Sequence, residues 1–175
     1  IETVQVFATK TGMIKTEEHY QGIVFKGVDK NYNWDFFEKN LIEGHLPRLN
    51  DSVRANEILL SEQVSKLLRL KLDDFAILYF INEDENLPRI RQLKICGIYR
   101  TSLEEFDNIF VLGDIKQIQH INSWGEDQIS GFEIGITDFN QIEEIEQKVR
   151  SSVIDYSSQN SAILRTENIT RQYAQ

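Results

Sequence analysis

Apolar residues in this chain come in short runs of strand length, and their spacing is the feature that most constrains the fold. Residues 75–81 and 93–99 are examples. A membrane-spanning helix needs about 20 consecutive apolar residues, and no run approaches that length. A chain of 175 residues that is 41% hydrophobic buries about two-thirds of the surface that it exposes when unfolded. The sequence therefore predicts a globular core that needs neither a disulfide nor a metal.

Strand and helix signals alternate along the chain, and the mixture predicts an α+β fold. Runs rich in β-branched and aromatic residues predict strands, at residues 4–9, 20–28, 75–81, 92–99, 108–112, 132–137 and 162–164. Residues that can cap a helix predict helices, over 34–41 after Asn33, over 62–70 after Ser61, after Asp114, and before Ile142 at Asp138 or Asn140. Spacings of i, i+3 and i+4 predict that Val64, Leu67 and Leu68 face the core together.

The sequence indicates no catalytic, cofactor-binding or metal-binding residues. A net charge of −9 argues against a nucleic-acid surface. Phosphate-binding glycine loops and the Gly-x-Ser-x-Gly elbow are absent. His19, His45 and His120 lie far apart along the chain, without metal-ligand spacing. Alternation places Cys96 in a strand, where we expect it to be a small buried hydrophobe.

Two acidic segments and one aromatic set leave alternatives open. The loop from Asn82 to Asn86 has calcium-type ligands, but its pattern favours a solvated hairpin tip. Glu104, Glu105 and Asp107 could pair for acid–base chemistry, although such clusters are more typical of exposed turns. The aromatic residues favour core packing over a ligand stripe, and any that prove exposed are interface candidates; they are Trp34, Phe36, Phe37 and Trp124.

Several segments, taken in order, resemble the extracytoplasmic domain of the MacB/LolC/LolE/FtsX-like permease superfamily of ABC transporters. They are 22–29, which ends in Gly27-Val28-Asp29; 41–47, Leu-Ile-Glu-Gly-His-Leu-Pro; 57–64 with 70–74; 93–99, which ends in Gly97-Ile98-Tyr99; and 104–113. Asp73 stands where the family's Leu-x-x-Gly-Asp turn has glycine.

This resemblance implies a two-lobed domain on the periplasmic side of the inner (cell) membrane, between two transmembrane helices. A Porter-like lobe with βαβ units would comprise residues 1–45 and 108–175, and an inserted, β-rich Sabre-like lobe residues 46–107. The domain would be non-catalytic, because the ATPase of such transporters is a separate cytoplasmic subunit or domain. The sequence starts without Met in a strand-like run and stops within a helical pattern, so we expect a piece of a longer protein.

Within the superfamily the chain is most similar to the lipoprotein-releasing LolC/LolE branch. The implied partners are a cytoplasmic ABC ATPase subunit, a second permease copy or paralogue, and a lipoprotein or periplasmic chaperone, with no nucleic acid. The hairpin loop is the candidate partner-binding segment; it comprises Asn82, Glu83, Asp84, Glu85, Asn86, Leu87 and Pro88. This loop is shorter than the hook of the chaperone-recruiting member.

Other functions remain as alternatives. A MacB-like exporter domain or an FtsX-like regulator that binds an envelope protein would share the same fold. A carboxylate-dependent hydrolase would need Glu104, Asp107 or the acidic loop to converge in a pocket. A free-standing adaptor would bind its partner through exposed aromatic residues or a sheet edge.

Overall fold

A computed structural model describes residues 1–160 and 165–166 of the chain. The strands are β1 (Thr3–Lys15), β2 (Tyr20–Val28), β3 (Leu41–Gly44), β4 (Glu57–Ser61), β5 (Phe75–Phe80), β6 (Arg89–Tyr99), β7 (Phe110–Asp114) and β8 (Gly131–Gly135). The helices are α1 (Asp35–Lys39), α2 (Glu62–Leu68), α3 (Glu104–Ile109), α4 (Ile115–Ile121) and α5 (Ile142–Asn160), with a short 3-10 turn at Phe139–Gln141.

The chain divides into two compact units. Gln5–Glu133 forms the larger unit, and Ile1–Val4 joins Ile134–Gln175 in the smaller one. These bounds differ from those of the predicted lobes, 1–45 with 108–175 and 46–107. In the larger unit, β4 from the segment 46–107 pairs with β7, and β5 from the same segment pairs with β1. The segment is therefore hydrogen-bonded into the sheet of the residues that flank it.

Six strands of the larger unit pair in a closed circuit. Its order is β1, β2, β7, β4, β6 and β5, and β5 pairs with β1 again. The β2–β7 and β4–β6 pairs are parallel, and the other four pairs are antiparallel. β3 pairs with β6 outside this circuit. Closure pairs the strand edges that an open sheet would expose.

The alternation of each strand determines which side chains enter the core. On β5, Ala76, Leu78 and Phe80 are buried, whereas Phe75 and Ile77 are exposed. The buried residues join those of β4, β6 and β7 in one apolar cluster. A second cluster lies around Phe37, Leu59 and Tyr99. β4 contributes to both clusters and is buried on both faces, as its continuous apolar run would suggest.

Two helices begin directly at the ends of strands, and the last strand residue caps each of them. The Ser61 hydroxyl, at the end of β4, accepts the Val64 N–H at 3.1 Å. The Asp114 carboxylate, at the end of β7, accepts the Lys116 N–H at 3.0 Å. Both caps confirm the sequence prediction. Each satisfies a backbone donor that the first turn of a helix leaves without an internal partner.

Several predicted boundaries were wrong. Helix α1 ends at Lys39, because Leu41 already pairs with Tyr99 in β3. Asn108 belongs to α3, and the strand that follows begins at Phe110. The strand predicted at 132–137 runs from Gly131 to Gly135. The strand predicted at 162–164 lies outside the described residues.

Leu67 was predicted to face the core with Val64 and Leu68, and this was wrong. Leu67 is 48% exposed, whereas Leu68 is 2% exposed. Helix α2 ends at Leu68, and Arg69 takes a left-handed conformation with φ of 55°. In so short a helix the buried face extends only to Val64, Ser65 and Leu68.

Asp73 has the backbone conformation that glycine usually provides. Its φ is 69°, in the left-handed region that Asp and Asn tolerate better than most residues. The Asp73 N–H donates to the Ile95 carbonyl at 2.9 Å, and its carboxylate pairs with Lys94 at 2.8 Å. The turn thus keeps a glycine-like geometry although the glycine itself is absent.

No helix in the described part of the chain combines the length and apolar character needed to cross a membrane.

The contrast between Leu67 and Leu68 gives a direct test of the fold. We expect Leu68→Ala to lower the free energy of unfolding by about 2–5 kcal/mol, because it opens a cavity in the core. Leu67→Ala should change it by about 0.5 kcal/mol at most. Urea unfolding followed by circular dichroism measures both values. Equal losses in the two variants would show that this face of α2 is assigned incorrectly.

Candidate functional site

The predicted partner-binding loop, Asn82 to Pro88, joins β5 to β6, which pair antiparallel as predicted. The loop is held at both ends. Asn82 donates from its side-chain amide to the Ile121 carbonyl at 3.0 Å. Arg89 donates from Nε to the two Glu85 carboxylate oxygens at 3.0 and 2.8 Å. Hydrogen bonds from Arg89 lower the pKa of the Glu85 carboxyl, so the ion pair persists to a lower pH than an ordinary glutamate would allow.

Apolar side chains surround this held loop and face outward. Leu87, at the tip, is 78% exposed. Ile81 and Ile90, at the two ends of the loop, are also exposed, as are Phe75 and Ile77 on the outer face of β5. Several exposed apolar side chains on one hairpin are typical of a contact surface for another macromolecule.

The loop does not gather its acidic residues around one point. Glu83 and Asp84 are exposed, and Glu85 is engaged by Arg89. Among the described residues, the loop contributes nothing to a set of three or more candidate ligands lying within 4.8 Å of one another. The arrangement matches a solvated hairpin tip, which the sequence pattern favoured.

The second acidic cluster, Glu104, Glu105 and Asp107, is divided between two environments. Asp107 is buried, and its carboxylate accepts the Thr101 N–H at 3.1 Å, the Thr101 hydroxyl at 2.6 Å and the Ser102 N–H at 3.1 Å. Glu104 and Glu105 are exposed. Asp107 therefore closes the turn between β6 and α3, and the structure does not present the cluster as an acid–base pair.

A cleft of about 330 Å³ borders this turn; its lining residues are Glu62, Gln63, Lys66, Arg100, Ser102, Glu104 and Asp107. Glu62 pairs with Lys66 at 2.9 Å and with Arg100 at 3.1 Å. Hydrogen bonding, from Lys66 above all, lowers the pKa of the Glu62 carboxyl. The Lys66 and Arg100 side chains of the cleft are thus both paired with the Glu62 carboxylate.

The four aromatic residues from the sequence analysis do not form a common stripe. Phe37 is buried in the second apolar cluster, with Trp34 packed against it. Trp124 packs against the first cluster. Phe36 is exposed and makes an edge contact with Phe37 at a centroid distance of 5.2 Å. Core packing is therefore the role of Trp34, Phe37 and Trp124, and Phe36 remains an interface candidate.

Cys96 is buried, as predicted, with 2% of its surface exposed. Burial raises the pKa of its thiol to about 12. His45 lies beside Cys96, with the His45 N–H donating to the Cys96 carbonyl at 2.8 Å. Sequence reasoning missed this proximity, because pairing between β3 and β6 leaves no trace in residue spacing. In the described part of the chain, neither His19 nor His120 belongs to a group of three or more candidate metal ligands within 4.8 Å of one another.

The similarity of this chain to known proteins lies in its fold. No protein-family model matches the sequence, and a search of curated proteins gives no match. Among solved structures, the fold is similar to the extracellular domain of the noncanonical ABC-type transporter YknZ from Gram-positive bacteria. The TM-score is 0.52 at 12% sequence identity, over 83% of this chain and 71% of that one. The comparison shows that the two domains have similar folds.

Asp107 allows a test of its structural role. We expect Asp107→Asn to lower the free energy of unfolding by about 1–3 kcal/mol, because an amide nitrogen then faces buried donors. The matched change Glu104→Gln, at an exposed acid in the same cleft, should change it by about 0.5 kcal/mol at most. Chemical denaturation of both variants gives the comparison. A stable Asp107→Asn variant would show that the carboxylate does not hold the turn.

Proposed function

We propose that this chain is the extracytoplasmic domain of an ABC-transporter permease. The observation on which the proposal depends is the fold, which is similar to a transporter extracellular domain over most of both chains. The ordered family segments in the sequence support it independently. One of them is the 70–74 turn, which keeps its left-handed residue at Asp73.

The domain acts mechanically, without chemistry of its own. Asp107, one of the carboxylates that the hydrolase alternative would need, is used by the turn that it closes. In the smaller unit, the Glu2 N–H donates to the Gly135 carbonyl at 2.8 Å, so the first residues lie against the strand that precedes α5. The domain would relay motion driven by a cytoplasmic ATPase subunit.

Within this class we propose the lipoprotein-releasing LolC/LolE type, with a second permease copy or paralogue as partner. The support for this type is the resemblance of the sequence to that branch of the superfamily. A MacB-like exporter domain and an FtsX-like regulator are the second candidates. Division into Porter-like and Sabre-like lobes, at 1–45 with 108–175 and 46–107, belongs to the same proposal.

The hairpin surface is the proposed site of contact with an extracytoplasmic protein partner. Asn82 and the Glu85–Arg89 pair hold the loop before any partner arrives, so little conformational entropy is lost on binding. Leu87, Ile81 and Ile90 supply exposed apolar area. The partner would be a periplasmic chaperone, a lipoprotein or an envelope enzyme.

One labelling experiment tests both the location and the contact. Leu87→Cys and the matched control Val53→Cys place a thiol at side chains that are 78% and 64% exposed. The native Cys96 is buried and contributes little background. We expect a membrane-impermeant maleimide to label Val53→Cys readily, and Leu87→Cys more slowly, in the full-length protein of intact cells or spheroplasts. Labelling of both only after lysis would contradict an extracytoplasmic domain.

The contact is measured by comparing labelling rates in membranes and in the isolated chain. We expect Leu87→Cys to react at least about tenfold more slowly in membranes than in the isolated chain, because a partner excludes solvent from a contact surface. Val53→Cys should react equally in both. Equal rates for Leu87→Cys would refute the hairpin contact while leaving the location of the domain intact.

A further inference from the structure

Three side chains with metal-ligand chemistry meet where β3, β4 and β6 adjoin. They are His45 just after β3, Glu57 at the start of β4, and Cys96 in β6. One ligand atom from each lies within 4.8 Å of the other two. An imidazole, a carboxylate and a thiol together are typical ligands of Zn²⁺. The cluster lies entirely in the larger unit and is separate from the hairpin and the Asp107 cleft.

A β-bulge aims Cys96 at this point. Along the parallel β4–β6 pair, Ile58 pairs with Ile95 and Leu59 pairs with Gly97, so Cys96 is the extra residue. Bulges re-aim a side chain and are frequent near functional sites. The Cys96 thiol donates to the Ile58 carbonyl at 3.3 Å. Ile58 directly follows Glu57 in β4.

Two glycines allow the end of β3, which His45 follows, to lie close to Cys96. Gly44 pairs with Gly97 across β3 and β6. A Cβ on Gly44, whose φ is +79°, would lie 2.2 Å from the Cys96 carbonyl oxygen, and one on Gly97 would lie 2.5 Å from the His45 carbonyl oxygen. Neither position accepts a larger residue without movement of the backbone. The close approach sets His45 directly against Cys96.

The imidazole is already oriented as a metal ligand. The His45 Nδ1 lies 2.8 Å from the Leu46 carbonyl, which can only accept, so Nδ1 carries the proton. The other ring nitrogen, Nε2, faces a Glu57 carboxylate oxygen at 4.0 Å. A backbone carbonyl behind a histidine is the usual second-shell partner of a metal ligand. The other Glu57 oxygen accepts the Arg48 N–H at 2.9 Å.

We propose that His45, Glu57 and Cys96 bind Zn²⁺, with water as the fourth ligand. On binding, the Cys96 sulfur–hydrogen bond breaks, the proton leaves to solvent, and a zinc–sulfur bond forms. His45 coordinates through Nε2 and Glu57 through one carboxylate oxygen. Tetrahedral zinc requires ligand atoms about 3.3–3.6 Å apart. His45 and Glu57 close the remaining gap by small side-chain rotations, since their side chains are 44% and 24% exposed.

The charges that act on the Cys96 thiol are the Glu57 carboxylate and the cations of Arg48 and Lys94. Lys94, the nearest ammonium on β6, is paired with Asp73 at 2.8 Å. Without zinc, burial raises the pKa of the Cys96 thiol and keeps it protonated at neutral pH. Zinc binding would replace this inert thiol by a bound thiolate and tie β3, β4 and β6 together through one ion.

Cobalt and zinc titrations of the 175-residue chain test the proposal. We expect Co²⁺ to give a sulfur-to-cobalt charge-transfer band and the visible bands of tetrahedral cobalt, which Zn²⁺ then displaces. His45→Gln should weaken Zn²⁺ binding at least about tenfold in calorimetry. Cys96→Ser should abolish the charge-transfer band. The matched control, His120→Gln, removes an exposed histidine elsewhere and should bind as the parent does.

A thermal melt gives a second reading, because a ligand that binds only the native state raises Tm. We expect Zn²⁺ to raise Tm of the parent and of His120→Gln, but not of His45→Gln. Should Cys96→Ser fail to fold, His45→Gln decides, since its side chain is half-exposed. A parent chain without the cobalt–sulfur band, or a His45→Gln variant that binds Zn²⁺ as tightly as His120→Gln, would overturn the site.

Discussion

Closure of the sheet between β1 and β5 is the contact on which the rest of the structure depends. Only Met13 with Tyr79 and Ile14 with Leu78 pair there, yet this short junction turns a row of strands into a ring. Gly12 permits it, since a Cβ at that position would lie 2.7 Å from the Phe80 ring and 2.9 Å from the Tyr79 carbonyl oxygen. Strands of the ring contribute side chains to the main apolar cluster, and the β5–β6 hairpin is part of the ring.

Local signals in the sequence predicted the features that need only neighbouring residues. The β5–β6 hairpin, the caps at Ser61 and Asp114 and the burial of Cys96 all follow from alternation or from capping chemistry. The closed ring was not predictable in this way, because the parallel β2–β7 pair joins segments distant in the chain. Leu67 was misplaced because the buried face of α2 turns toward Ser65, and spacing alone does not show which neighbour of Val64 the fold buries.

The candidate sites also differ in whether neighbouring residues or distant segments form them. The hairpin was found from sequence because it is one continuous segment. The set of His45, Glu57 and Cys96 was missed because three strands bring it together, and the only local signs are the glycines at 44 and 97. Asp107 was grouped with Glu104 by proximity in sequence, although the fold turns its carboxylate inward to the Thr101 and Ser102 backbone. Residue composition alone could not distinguish a turn-closing acid from a catalytic one.

The proposed function requires this closed sheet to belong to a permease driven by a separate ATPase. The most direct measurement is ATP hydrolysis by the full-length protein, extracted from membranes in detergent after expression with its genomic neighbours. The account predicts that an ABC ATPase subunit co-purifies in a fixed ratio and hydrolyses ATP, with both lost when the permease is omitted. A full-length protein that is recovered without detergent and brings no ATPase would contradict it.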